Sequence, residues 1–222
     1  MKNTFIIGNW KSHKTSKEAT EWFEKLATLF KEETLSYENK TIILCPPFHL
    51  LPLVSSLIHE HQLPLQLGAQ DVSPFEVGAY TGEVAASQLR EYVDYVIIGH
   101  SERRKYFGES DEVVAQKTKQ ALGAGITPLV CVQSIDTTVP HGVSMIAYEP
   151  VFAIGTGNAD TPEDAEKVLQ TFKDKGMQIT LYGGSVNPEN VASFMKESAV
   201  DGVLPGTDSL DPDLFFHIIQ NS

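Results

Sequence analysis

The stretch "SMIAYEPVFAIGTGNADTPEDAEKVLQTFKDKGMQITLYG", residues 144–183, holds a whole supersecondary unit. "SMIAYE" (144–149) is a short apolar run that reads as a strand. "TPEDAEKVLQTFKDKG" (161–176) opens with a threonine cap and a proline at the first helical position, and it closes on Gly176. "MQITLYG" (177–183) is again β-rich. Strand, helix and strand in such short order describe a βαβ unit with parallel strands. A lone acid, Glu149, ends the first strand; Pro150 stiffens the chain behind it, and Gly155 and Gly157 loosen it beyond. By itself this is an ordinary strand-to-helix loop with a surface carboxylate.

The same alternation runs outward in both directions. Further β-rich runs are "TFIIG" (4–8), "KTIILC" (40–45), "LPLQLGA" (63–69), "DYVIIG" (94–99), "ITPLVCV" (126–132) and "VDGVL" (200–204). Helical patterns lie between most of them. "SKEATEWFEKLATLFKEE" has apolar residues at helical spacing, and "NPENVASFMKE" and "DPDLFFHII" open on Asn-Pro and Asp-Pro. Eight strands without a linker or low-complexity break predict a single α/β domain over 1–222, a (β/α)8 barrel. A doubly wound open sheet is the rival, but "FIIGNWKSH" lacks the G-x-G-x-x-G turn usual in that class.

Composition narrows the function. With 222 residues, 41% of them hydrophobic, the chain can bury a sizeable core. A formal charge of −12 without a Lys/Arg block argues against nucleic acid and anionic membrane as partners. Cys45 and Cys131, the two cysteines, lie in strand-like runs and read as reduced, buried thiols rather than a disulfide or metal site. No apolar stretch reaches the roughly 20 residues of a membrane span. "MKNTFIIGNWK" has neither the apolar core nor the cleavage site of a signal peptide, so a cytoplasmic enzyme is expected.

In such a barrel the chemistry sits at the C-terminal ends of the strands. Asn9 and Lys11 follow strand one, at a spacing that sends both side chains to one side of an extended segment. His100 follows strand four, and Ser101-Glu102-Arg103 begins a helix. Glu149 follows strand six, Gly183-Gly184-Ser185 strand seven, and Gly206-Thr207 strand eight. Each alone has a bland explanation; together they make chemical sense. Glu149, at a dry strand end that raises its pKa, is a candidate general base. A histidine at a helix N-terminus stays neutral and donates a hydrogen bond. Lys11 supplies positive charge for a developing oxyanion. Backbone N–H groups at Gly155, Ser185, Gly206 and Thr207 form a phosphate cradle. The sum is acid–base chemistry on a small phosphate ester, with no metal or organic cofactor.

The motifs "GNWK" (8–11), "GAQDVS" and "GAYTGE" (68–83), "GHSERRKYFGESDE" (99–112), "AYEPVFAIGTG" (147–157), "LYGGSV" (181–186) and "DGVLPGTDSL" (201–210) run end to end in the order of one family. The chain closely resembles the triosephosphate isomerases. In that family the glutamate base, neutral histidine and closing loop are established. The resemblance implies an aldose–ketose isomerase of glycolysis and gluconeogenesis, acting on a phosphorylated triose. Glu149 would take the proton, His100 polarise the oxygens, Lys11 stabilise charge, Asn9 orient substrate and Lys11, and Glu102 tune His100 and Lys11. Pro150-Val151-Phe152 would be the N-terminal hinge of a lid, Ala153-Ile154-Gly155 its tip and Thr156-Gly157-Asn158 its C-terminal hinge. The segment 71–83 would be an interface loop placing Thr81 beside the partner's active site in a homodimer, with a tetramer as the alternative.

Some residues depart from the family's pattern: Phe152 for tryptophan, Asn158 for lysine, Asp71 for asparagine, "VQS" (132–134) for Val-Gly-Glu or Ile-Gly-Glu, and Thr207 for a glycine. Weaker phosphate binding is expected from the last. The connection "QSIDTTVPHGV" (133–143) has no helical period, so the fifth barrel helix is expected to be absent or reduced to a turn. Ile135, Val139 and the helices at 109–123 and 161–175 are expected to cover the bared strands, with a second subunit as the alternative. Two other functions compete: a Schiff-base aldolase using Lys11, and a non-catalytic phosphate-binding barrel.

Overall fold

A computed structural model describes residues 2–33, 37–150 and 160–222. Its strands are β1 Thr4–Asn9, β2 Lys40–Cys45, β3 Leu65–Ala69, β4 Tyr95–Ile98, β5 Thr127–Val132, β6 Met145–Tyr148, β7 Ile179–Tyr182 and β8 Gly202–Val203. Each pairs in parallel with its sequence neighbour, and β8 returns to β1, so the sheet closes into an eight-stranded barrel. The seam depends on Gly202, where an added Cβ would sit 2.1 Å from the carbonyl oxygen of Phe5. Any side chain there would wedge the shortest strand away from its partner.

The helices are α1 Ser16–Glu32, α2 Leu51–His61, α3 Ala86–Leu89, α4 Ser101–Phe107, α5 Asp111–Gly123, α6 Pro162–Asp174, α7 Val191–Met195 and α8 Pro212–Asn221. Local chemistry sets their starts. Thr15 and Glu18 form a reciprocal capping box on α1, and Thr161 and Asp211 cap α6 and α8 just ahead of a proline. The Asn187-Pro188 opening behaves differently. Asn187 Oδ1 accepts the N–H groups of Glu189 and Asn190 in a turn, and α7 begins only at Val191.

Strand alternation divides the core into two layers. Phe5, Ile7, Ile43, Cys45, Ile97, Leu129, Cys131, Met145, Ala147 and Leu181 fill the barrel. Their strand neighbours, among them Ile6, Val130, Val132, Ile146 and Tyr148, pack outward against the helices. Both cysteines are buried free thiols.

Residues 133–144 contain no helix, as the missing period implies. Even so, Val130, Val132, Ile146 and Tyr148 are all buried. Exposing such side chains would forfeit roughly 1.5–3 kcal/mol each. Val139 and Val143 pack onto this layer from the short connection. Ile135 does not; it stays 46% exposed, because the turn that opens the connection carries it outward. The flank is therefore covered from within the chain and needs no second subunit.

The segment 71–83 is a closed loop whose start, Asp71 to Ser73, is buried and whose tip is exposed. Ser73 N–H donates to Val84 O at 2.9 Å across its neck, and Phe75 stacks on Tyr80 at 4.2 Å. Phe75, Val77 and Tyr80 remain exposed, as do Tyr106 and Phe107 at the end of α4.

Candidate active site

The strand ends bring Asn9, Lys11, His100, Glu149, Ser185, Gly206 and Thr207 to the wall of one open cavity of about 250 Å³. Gly155 and the rest of the expected lid, Val151 to Asn158, lie outside the described residues; Pro150 is buried at the end of β6.

Glu149 is 1% exposed, yet its carboxylate is well supplied with donors. Oε2 accepts the Ser101 N–H at 2.9 Å, and Oε1 lies 2.9 Å from His100 Nε2 and 3.4 Å from Ser101 Oγ. The expectation of a raised pKa is not met in this arrangement. Burial pushes the carboxyl up, but His100, the Ser101 N–H and the Cys131 thiol hold it below its ordinary value of 4.5. The carboxylate is withdrawn into hydrogen bonds, poised but not yet basic.

His100 caps α4. Its Nδ1 accepts the Glu102 N–H at 3.2 Å, so that nitrogen carries no proton. Its Nε2 faces Glu149 and the cavity. Gly99 makes the turn into the helix possible. Its φ is +68°, and an added Cβ would meet Val114 at 2.9 Å.

Lys11 reaches the cavity by a different backbone route from the extended segment expected of i, i+2 spacing. Its φ is +50°, in the left-handed region. Asn9 Oδ1 accepts its N–H at 2.9 Å, and Gln70 Nε2 donates to its carbonyl at 2.8 Å. Its ammonium binds Glu102 Oε1 at 2.6 Å, which occupies the amine a Schiff-base aldolase would need free.

Beside these groups, Gly183, Gly184, Ser185, Gly206 and Thr207 form a small, backbone-rich wall, with Gly183 against Glu149 and Gly206 against Lys11. The buried Trp10 indole donates to Ser209 O at 3.0 Å, and Ser209 N–H donates to Gly206 O at 3.0 Å, pinning the last loop. Thr207 opens a short 3-10 turn with an ordinary negative φ, so its Cβ is accommodated without strain.

A model of the triosephosphate isomerase family matches residues 4–222. The chain belongs to the triosephosphate isomerase family. Proteins named triosephosphate isomerase from Trichodesmium erythraeum and Thermus thermophilus are each 39% identical to it, over 244 and 254 aligned residues. Each match covers 99% of this chain and 99% of the relative. One from Endomicrobium trichonymphae is 38% identical over the full length of both. These alignments are longer than the 222 residues here, so the triosephosphate isomerase relatives carry residues that this chain lacks. The helix-free connection after β5 fits that difference.

Several residues at this triosephosphate isomerase-like site escaped the sequence reading. Ser101 entered only as a helix start, although it is the main anchor of Glu149. Gln70 bridges Lys11 and Cys45, and Tyr182 Oη accepts the Asp160 N–H at 2.8 Å. Asp208 lines the same cavity; burial, then Glu189 and Asp211, push its carboxyl upward. Only strand-end position marked these residues, and contacts between distant loops cannot be read from spacing.

Proposed function

We propose that this chain interconverts dihydroxyacetone phosphate and D-glyceraldehyde 3-phosphate by proton transfer through an enediolate. The observation that carries this reading is the pairing of a buried Glu149 with His100 Nε2 in one cavity with Lys11 and a glycine-rich, backbone-rich wall. Glu149 removes the proton from the carbon beside the carbonyl. The electron pair moves onto the carbonyl oxygen, where Lys11 and His100 stabilise it. His100 gives its Nε2 proton to that oxygen and takes the proton of the neighbouring hydroxyl, and Glu149 returns a proton to the former carbonyl carbon, leaving the new carbonyl next to it. Leaving its donors at Ser101 and His100 raises the basicity of the carboxylate, because burial then acts unopposed. Asn9 fixes Lys11, and Glu102 holds both the Lys11 ammonium and, through its N–H, the His100 tautomer. Residues 150–158 serve as the lid that excludes water, with Gly155 on the phosphate.

In heavy water, solvent deuterium should appear on the carbon beside the carbonyl whenever the protonated Glu149 exchanges before returning its proton, and Glu149→Gln should abolish this. Deuterium incorporation that survives Glu149→Gln would refute the base. The aldolase reading predicts a borohydride-trapped adduct on Lys11; no adduct is expected.

Asp208 should oppose a phosphate dianion. A repulsion on the order of 1 kcal/mol means that Asp208→Asn tightens inhibition by inorganic phosphate roughly fivefold at low salt, and less at high salt. An unchanged inhibition constant would remove Asp208 from the account.

The protein is proposed to work as a homodimer in the cytoplasm. Phe75, Val77 and Tyr80 on the exposed tip of a closed loop, with Tyr106 and Phe107 nearby in sequence to Arg103, are apolar surface that a partner would cover. Thr81 on that loop would reach the partner's active site. Light scattering at micromolar concentration should give twice the 24.4 kDa chain mass; a fully active monomer would contradict this.

A further inference from the structure

We propose that Gln133 is a positioning residue that holds Glu149 in its withdrawn state, an arrangement tied to the loss of the fifth helix. The inference rests on the reading of Glu149 as the base. Gln133 Nε2 lies 3.4 Å from Glu149 Oε2 and 3.5 Å from Gly99 O. β5 runs between β4 and β6, so one amide spans the ends of both neighbours. Both contacts are long, but one acceptor is a buried carboxylate, where a donor counts for more than in water.

The residue is held in place. Thr137 Oγ1 accepts the N–H groups of Gln133 and Ser134, each at 3.1 Å, and Thr137 N–H donates to Ser134 O at 3.1 Å. These N–H groups would face a helix start if a helix followed β5. Here a threonine hydroxyl satisfies them and fixes the backbone that carries Gln133. The family's usual glycine at this position offers no side chain.

Other groups around the carboxylate come from different elements. His100 and Ser101 bind it from the β4–α4 turn, and the Cys131 thiol lies on β5, with Arg104 near that thiol. Lys11 and its partner Glu102 line or flank the same cavity. Gln133 is the contribution of the connection that replaces the helix.

Removing the amide strips one donor from the charged form of Glu149. Titration of carbon-13-labelled carboxyl groups by NMR, with Glu149 assigned by comparison with Glu149→Gln, reads this directly in the free enzyme. The Gln133→Ala and Gln133→Gly variants should move the Glu149 midpoint up by roughly half a pH unit. Gln133→Glu, which places like charge there, should move it by more than about one unit. Thr137→Val, which frees the clamp, should shift it upward by a smaller amount. The thermal midpoint of Gln133→Ala confirms folding, so a failure of Gln133→Glu to fold does not block the test. A Glu149 midpoint in folded Gln133→Ala that superimposes on the parent's overturns the proposal. If instead Glu149→Asp retains full turnover, the base assignment fails independently of this titration.

Discussion

Glu149→Asp should lower turnover by on the order of a hundredfold or more, while a phosphate-bearing inhibitor binds about as tightly as before. The substitution withdraws the carboxylate by one methylene, roughly 1 Å, and proton abstraction from carbon demands near-attack geometry. Glu149 is fixed on a buried strand end between Met145–Tyr148 and Pro150, so the backbone has little room to follow. The wall proposed to hold phosphate belongs to the loops after β7 and β8; Gly183 packs beside the methylene that is lost, but Ser185, Gly206 and Thr207 are not among its neighbours there. Steady-state kinetics with a parallel inhibition series checks both halves. Unchanged turnover would remove Glu149 from its role; loss of inhibitor binding in step with turnover would instead point to collapse of the cavity.

The second large effect concerns stability. Lys117 on α5 is 3% exposed and binds Asp71 Oδ1 at 2.6 Å and the Glu109 carboxylate. Arg103 completes the network, 2.9 Å from Asp71 Oδ2 and 2.5 Å from Glu109 Oε1. Glu109 Oε2 has no hydrogen-bond partner, so the network has no donor to spare. Lys117→Met leaves two buried carboxylates sharing one guanidinium and should cost about 3–5 kcal/mol, read by denaturant unfolding. A loss below about 1 kcal/mol would show that the network relaxes instead.

Asp71→Asn should behave in the opposite way. Burial outweighs Lys117 and Arg103 and raises the Asp71 carboxyl above its ordinary 3.8. A raised pKa means the folded state holds the proton more tightly than the unfolded chain. This group's stabilising contribution is therefore present below the unfolded value and is lost as pH rises through the folded one. At neutral pH its ionisation is a cost, so Asp71→Asn should leave the thermal midpoint unchanged or higher. A fall of several degrees would show that the ion pair stabilises the fold there.

What was legible in the sequence follows from how local each signal is. Eight apolar runs with helical patterns between them specify a closed parallel barrel, because strand alternation and helix caps act within a few residues. The absent helix after β5 was readable for the same reason: 133–143 lacks a helical period. Strand-end position also marked Asn9, Lys11, His100, Glu149, Ser185, Gly206 and Thr207, which share one cavity. The left-handed backbone of Lys11 was not legible, since it is set by Asn9 and by Gln70 from β3's end. Nor was the low pKa of Glu149, which depends on donors some 48 residues away in sequence. Exposure of Ile135 could not be foreseen either, because the Thr137 turn that directs it is a side-chain device.

The central claim is that this cavity isomerises a triose phosphate unaided. A coupled assay on the purified protein, starting from either triose phosphate and with no metal or organic cofactor added, tests it most directly. The account predicts isomerisation in both directions that disappears into the buffer background with Glu149→Gln. A folded protein that binds phosphate but shows no turnover above that background in either direction would contradict it.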